Sequence, residues 1–194
     1  MRESAAAGVV VGVQVGAAAL LRAGDHEALS GIRKRAVAGA VAVGPLGLAG
    51  DEQADLSVHG GLSKAVYACP SEHYGFWCAQ RQSWGLPTEL PYGSLGENLA
   101  LAGVEERALF VGDILSFPAC RLRVTQLRTP CWKFNAVMGH PSAARLMLES
   151  GRSGFYLSVV EPGRIAAGQE FQVLAGPREV SLESMTVAAR GRRR

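Results

Sequence analysis

A chain of 194 residues, 48% of them hydrophobic, can bury one good core, and a single domain over 1–176 fits that length. Basic residues number 20 against 17 acidic ones, but Arg190, Arg192, Arg193 and Arg194 stand in the last five positions, so the body is nearly neutral. That balance argues against nucleic acid as a partner, and 177–194 reads as a short basic tail in solvent.

The first apolar run, Ala5 to Leu21, follows Arg2 and superficially resembles a leader. Glu3 weakens the basic start, no A-x-A site follows, and Gln14 spoils a membrane span. Val9, Val10, Val11, Val13 and Val15 are β-branched, so the run is read as the first buried strand. Short β-like segments are expected at 8–15, 41–43, 65–69, 97–101, 107–111, 113–117, 120–127, 154–160 and 170–174. With glycine and proline between them, they predict a mainly β barrel or sandwich with a few peripheral helices. Cys120, Leu122 and Val124 alternate with Arg121, Arg123 and Thr125, as in a strand with one wet face.

Two helices interrupt this pattern. Ser71 caps one that carries Tyr74, Trp77 and Cys78 and ends near Gly85. The other has Pro141 in its first turn, Ala144, Met147 and Leu148 on one face, and Gly151 as its stop. Both are packing elements by composition. Val111-Gly112-Asp113-Ile114-Leu115 and Ala167-Gly168-Gln169-Glu170-Phe171 each set a glycine and a polar residue before an apolar strand, too short a likeness to be a repeat.

Cys69, Cys78, Cys120 and Cys131 form no CxxC pair and no C-x-x-C-H, which excludes a zinc ribbon, a thioredoxin motif and c-type haem; the spacing is also too loose for an iron–sulfur cluster. Reduced thiols and a cytoplasmic location fit. Cys131 stands apart, between Arg128 and Lys133 in Arg128-Thr129-Pro130-Cys131-Trp132-Lys133-Phe134. Pro130 stiffens the approach, and neighbouring cations favour a thiolate, the form that attacks electrophiles or binds soft metals. A small buried hydrophobe fits the local sequence equally well.

Three further polar clusters stand upstream. Arg33, Lys34 and Arg35 precede Gly47, Gly50 and Asp51; His59, Gly60 and Gly61 precede Ser63 and Lys64; Glu97 and Asn98 follow Gly96. Adjacent glycine amides with nearby cations suit a phosphate, and Glu97 or Asn98 suits a heterocycle. Simple turns and a structural histidine are the alternative.

Taken in order, GLAGDEQAD (47–55), HGG with KAV (59–66), EHYGFW (72–77), GSLGENL (93–99), VGDIL (111–115) and RTPCWKF (128–134) resemble the MOSC family, the molybdenum cofactor sulfurase C-terminal domain, and specifically its stand-alone bacterial members. The resemblance runs from about residue 30 to 174. It implies a MOSC-type β-barrel that binds molybdenum cofactor (molybdopterin) through the pterin phosphate, with Cys131 as functional thiol and metal ligand. By position it assigns cofactor contacts to Lys34, Arg35, Asp51, His59, Gly60, Gly61, Glu97, Asn98, Arg128 and Lys133. Ser63 departs from the family, where an acid usually precedes the lysine, and Cys69 occupies a strand position that is often aromatic. About twenty residues follow Leu174, where many relatives continue into a helical segment.

The function this implies is reduction of N-hydroxylated compounds of the hydroxylaminopurine or amidoxime type. The chain has no flavin fingerprint or cluster spacing, so electrons must come from a separate flavin or iron–sulfur partner. The alternatives are a sulfur carrier whose Cys131 persulfide comes from a pyridoxal-phosphate-dependent cysteine desulfurase, and a non-catalytic cofactor carrier.

Overall fold

The computed structural model describes residues 4–56 and 60–191. Its strands are β1 (Ser4–Val15), β2 (Ala19–Ala23), β3 (His26–Ser30), β4 (Arg35–Ala36), β5 (Val41–Gly44), β6 (Gly47–Leu48), β7 (Val66–Pro70), β8 (Leu99–Ala102), β9 (Ile114–Ser116), β10 (Arg121–Leu127), β11 (Phe155–Glu161), β12 (Gly163–Ile165) and β13 (Glu170–Leu174). The helices are α1 (His73–Ser83), α2 (Trp132–Met138), α3 (Ala143–Ser150) and α4 (Leu182–Gly191).

Seven strands close into a barrel in the order β1, β13, β9, β10, β11, β7, β8 and back to β1. The valine-rich β1 makes the closure. Its first half pairs antiparallel with β13, and its second half pairs with β8 from Val9 opposite Ala102 to Val13 opposite Leu99. A closed sheet leaves those strands no edge to aggregate through. A Cβ on Gly8 would stand 2.5 Å from the Ala102 carbonyl oxygen and 2.6 Å from the Phe171 ring, so β1 lies this close to both neighbours only as glycine. β7 and β8 run parallel, with α1 in the connection between them.

Val10, Leu101, Leu115, Leu122, Val124, Leu157 and Phe171 belong to the main core. Leu122 and Val124 are buried while Arg121 and Arg123 are exposed, as the alternation predicts. Between Val124 and Gln126 the register against β11 slips, and such a bulge bends the strand just before it delivers Arg128. A second cluster of Tyr67, Trp77, Leu95, Phe134, Met138 and Met147 joins β7 to α1, α2 and α3; Trp77 meets Phe134 edge-on at 5.3 Å.

Both predicted helices form, as α1 and α3, and Gly151 ends α3 in the left-handed conformation. Ser71 does not cap α1, because Glu72 stands at that position and no side chain bonds the first turn. Four further features differ from the sequence reading. The β2–β3 hairpin turns at Gly24-Asp25 with Gly24 at φ 56°, a glycine-led turn that the reading of Ala5–Leu21 as one run concealed. α2 is too short to show a period and starts immediately after Cys131.

Residues 107–111 are not a strand. Glu106–Ala108 is a 3₁₀ turn, and Phe110 makes a single bridge to Ser181. Glu106 causes this, because its buried carboxylate accepts from the Ser153 and Gly154 amides at 3.1 and 2.6 Å and meets the His73 ring at 2.9 Å.

The C-terminal stretch is not a solvated tail through residue 191. Ser181 caps α4 by accepting from the Ser184 amide at 3.0 Å, Leu182 and Thr186 are buried, and Arg190 reaches the Leu148 carbonyl at 3.2 Å. Apolar spacing outweighed the basic composition. Arg192, Arg193 and Arg194 lie outside the described residues.

The two similar pentapeptides make one device. Asp113 accepts from the Phe110 amide and Gln169 from the Ala166 amide, each three residues upstream, just before the paired strands β9 and β13. Among the described residues no helix is long and apolar enough to cross a membrane.

Candidate functional site

β10 ends at Leu127, the Arg128 amide bonds to the Gly154 carbonyl at 3.1 Å, and the chain runs extended through Cys131 (φ −127°) into α2. Cys131 is half-buried in the wall of a pocket. Lys34, Lys64, Arg128 and Lys133 line the same pocket, against the carboxylates Asp51, Glu52 and Asp55. Asn98, Tyr67 and Tyr156 complete its inner wall.

Most of these charges already have partners. Lys34 and Asp51 form an ion pair with both side chains buried, and Asp51 also accepts from the Gly16 amide at 2.8 Å. The Arg128 guanidinium lies over the rings of Tyr67 at 5.0 Å and Phe134 at 4.7 Å, and it donates to the Met147 sulfur at 2.7 Å. Lys133 crosses to the β2–β3 hairpin and donates to the Leu29 carbonyl at 3.1 Å. Asn98 accepts from the Tyr67 amide at 3.0 Å and donates to the Gln14 carbonyl at 3.2 Å, tying β7 to β1. Gly96 shapes the wall beside it: at φ 89° its hydrogen faces Ile32, whose Cγ1 would stand 2.8 Å from a Cβ.

Burial pushes the Tyr156 phenol above its ordinary range, with the Arg128 guanidinium pulling the other way and a charge on Cys131 adding to the rise. Burial likewise drives Tyr67 and Cys69 well up, and Cys120 to about 11. Both buried thiols are thereby held in the inert neutral form.

A model of the MOSC domain matches residues 55–172, more than half of the chain. The chain belongs to the MOSC domain family. This MOSC chain is 32% identical to protein YiiM of Escherichia coli (strain K12) over 160 residues, 82% of the chain and 70% of YiiM. It is 35% identical to YflK of Bacillus subtilis (strain 168) over 155 residues, 79% of the chain and 68% of YflK. A Gibberella moniliformis protein named Reductase is 32% identical over 152 residues, 78% of the chain but 27% of that protein. The crystal structure of YiiM from Geobacillus stearothermophilus superposes with a TM-score of 0.74 at 28% identity, covering 96% of the chain and 86% of YiiM.

In this MOSC barrel the residues singled out from sequence divide into two groups. Lys34, Asp51, Asn98, Arg128, Cys131 and Lys133 line one pocket. Arg35, Gly60, Gly61 and Glu97 do not, and His59 lies outside the described residues. Arg35 is exposed in β4 opposite Val15. The Gly61 amide is taken by the Gln53 side chain at 2.8 Å and is not held out to an anion. Glu97 is sealed behind the wall, where it accepts from the Tyr74 hydroxyl and, at 2.6 Å, from the Gly93 amide; among the described residues its second oxygen has no partner.

Glu97 and Glu106 explain the EHYGFW motif. His73 and Tyr74, the first two residues of α1, each meet one of these buried carboxylates. The motif therefore clamps the start of α1. Sequence reasoning missed Tyr67, Gln53 and Tyr156, which line the pocket from strands and a loop, because nothing in their local pattern says which face they take.

Proposed function

We propose that this chain binds molybdenum cofactor in the Cys131 pocket and reduces N-hydroxylated compounds, with Cys131 as the protein ligand of the metal. The observation that carries the reading is one half-exposed thiol in a wall that also presents Lys34, Lys64, Arg128 and Lys133. Among the described residues no group of three or more His, Cys, Asp or Glu side chains could hold a metal. A metal here must bring most of its own donors, and a dithiolene-bound molybdenum that accepts one soft thiolate fits that donor set. When bound, the cofactor supplies a two-electron redox change.

The chain's residues supply the rest. Cys131 fixes the metal's position, since Pro130 and α2 bracket it on either side. Lys64, Arg128 and Lys133 attract the anionic phosphate, and the Lys34–Asp51 pair holds that wall in shape. A relative of this barrel is named Reductase, which supports redox chemistry over storage. Electrons come from a separate flavin or iron–sulfur partner. The exposure of Cys131 also suits the second reading, a persulfide carrier loaded by a pyridoxal-phosphate-dependent cysteine desulfurase.

Metal analysis of protein from a host that makes the cofactor, native against C131A, separates these. The reductase reading expects near-stoichiometric molybdenum that is lost in C131A, and hydroxylaminopurine reduction with a chemical electron donor. Native protein without molybdenum but with an added sulfur on Cys131 by mass spectrometry overturns it in favour of the carrier.

A further inference from the structure

Gln53 stands in the first glycine-rich motif and reaches the second. Its own backbone is fixed, since the Glu52 amide donates to the Gly16 carbonyl at 2.9 Å and Asp51 accepts from the Gly16 amide at 2.8 Å. From that base the side chain spans a turn. Its Oε1 accepts from the Gly61 amide at 2.8 Å, while its Nε2 donates to the Leu46 carbonyl at 2.7 Å and to the Ala65 carbonyl at 3.4 Å. Gly61 and Ala65 flank the 3₁₀ turn Leu62–Lys64 on either side. One carboxamide therefore clamps both ends of the turn that carries Lys64.

These partners require a glutamine. Two carbonyls and one amide need a group that donates and accepts at once; an ionised Glu has no donor, and Asn is one methylene shorter. The neighbouring glycines make room for it. A Cβ on Gly60 would overlap Gln53 Oε1, and one on Gly47 would overlap the Ala65 carbonyl oxygen. The motifs at 47–55 and 59–66 are thus two halves of one device.

What the device delivers is a cation. From the barrel side the Thr125 hydroxyl donates to the Ser63 carbonyl at 2.6 Å, and the Lys64 ammonium lies 5.9 Å from the Tyr156 ring centroid, in the wall shared with Cys131. A lysine on a turn held before the ligand arrives loses less freedom on binding. Both amide hydrogens of Gln53 are already taken, which leaves none for a ligand.

We propose that Gln53 is a positioning residue for anion recognition, holding Lys64 where its ammonium meets the phosphate of a bound ligand. The inference rests on the reading above, in which Lys64 attracts a phosphate. It adds that Gln53 acts through Lys64 and makes no ligand contact of its own.

The test is a double-mutant cycle on the full chain from a host that lacks the cofactor: wild type, Q53M, K64A and Q53M/K64A, each titrated with inorganic phosphate below its own thermal midpoint. K64A should weaken phosphate binding at least about tenfold, and Q53M about two- to tenfold. The double variant should match K64A within about twofold, because the clamp has nothing left to position. G60A keeps Gln53 but forces Oε1 off the Gly61 amide, so it should repeat the Q53M loss, again only while Lys64 is present. Losses that multiply in the double variant overturn the proposal, as they mark a direct contact or general loosening. Wild-type affinity in Q53M overturns it as well, and so does a wild-type chain that binds no phosphate. Molybdenum content of wild type from a cofactor-making host tests the reading beneath. Phosphate bound through Lys64 and Gln53 with no molybdenum refutes the cofactor and upholds the positioning role.

Discussion

Glu97 and Asn98 are adjacent in sequence, yet they belong to different chemistry. Asn98 reaches the pocket wall, while Glu97 is sealed against Tyr74 and Gly93 at the start of α1. The chain just before β8 sends one side chain to the pocket and the other behind its wall, so one motif supplies both regions. In the pocket, charge is kept and matched by partners such as Lys34 with Asp51. Behind the wall, burial raises the Glu97 carboxyl above its usual range, against the pull of the hydrogen bonds it accepts from Tyr74 and Gly93. The same residue types thus line a pocket that opens to water in one place, and anchor a helix where water cannot enter.

If this division is right, C131A should break function alone. Molybdenum binding and turnover are abolished, while urea denaturation shows a stability change within about 1 kcal/mol. E106A should do the reverse. It leaves the His73 ring and the Ser153 and Gly154 amides without their buried acceptor, and urea denaturation should show a loss of about 3–5 kcal/mol.

Glu97 gives a subtler contrast through pH. Its folded pKa is raised above the ordinary 4.5, so the folded chain keeps a proton that the unfolded chain releases. Its contribution is full below 4.5 and is lost as pH rises from there through the raised folded value. The slope reaches up to about 1.4 kcal/mol per pH unit. E97Q, neutral at every pH, should flatten that decline in urea denaturation across the same window, and equal pH profiles would remove Glu97 from the sealed region's energetics. The smallest effect belongs to R35A. Exposed outside both regions, it should change stability by less than about 0.5 kcal/mol and leave molybdenum content unchanged.

Much of the barrel was legible because its signals are local. Turn residues at short intervals, the valines of β1 and the alternation of Leu122 and Val124 all report a strand face without knowledge of the partner strand. Helices α1 and α3 showed their stripes in the same way. What escaped had its cause elsewhere in the chain. The Glu106 turn is set by His73 and the loop at Ser153, and α2 by the chain's turn off β10. The helical spacing of Leu182 and Thr186 was present in α4 but masked by arginines.

The site follows the same rule. Cys131 between two cations, and the series of motifs that marks a MOSC domain, can be read from the letters alone, since residue type and order carry that information. The letters cannot say that Lys34 is bound to Asp51, that Lys133 reaches across to the Leu29 carbonyl, or that Glu97 turns its back on the pocket. Nor do they set Tyr156 opposite Tyr67. Those outcomes depend on which strand lies beside which and in what register, and a shift of one residue would exchange the pocket face for the core.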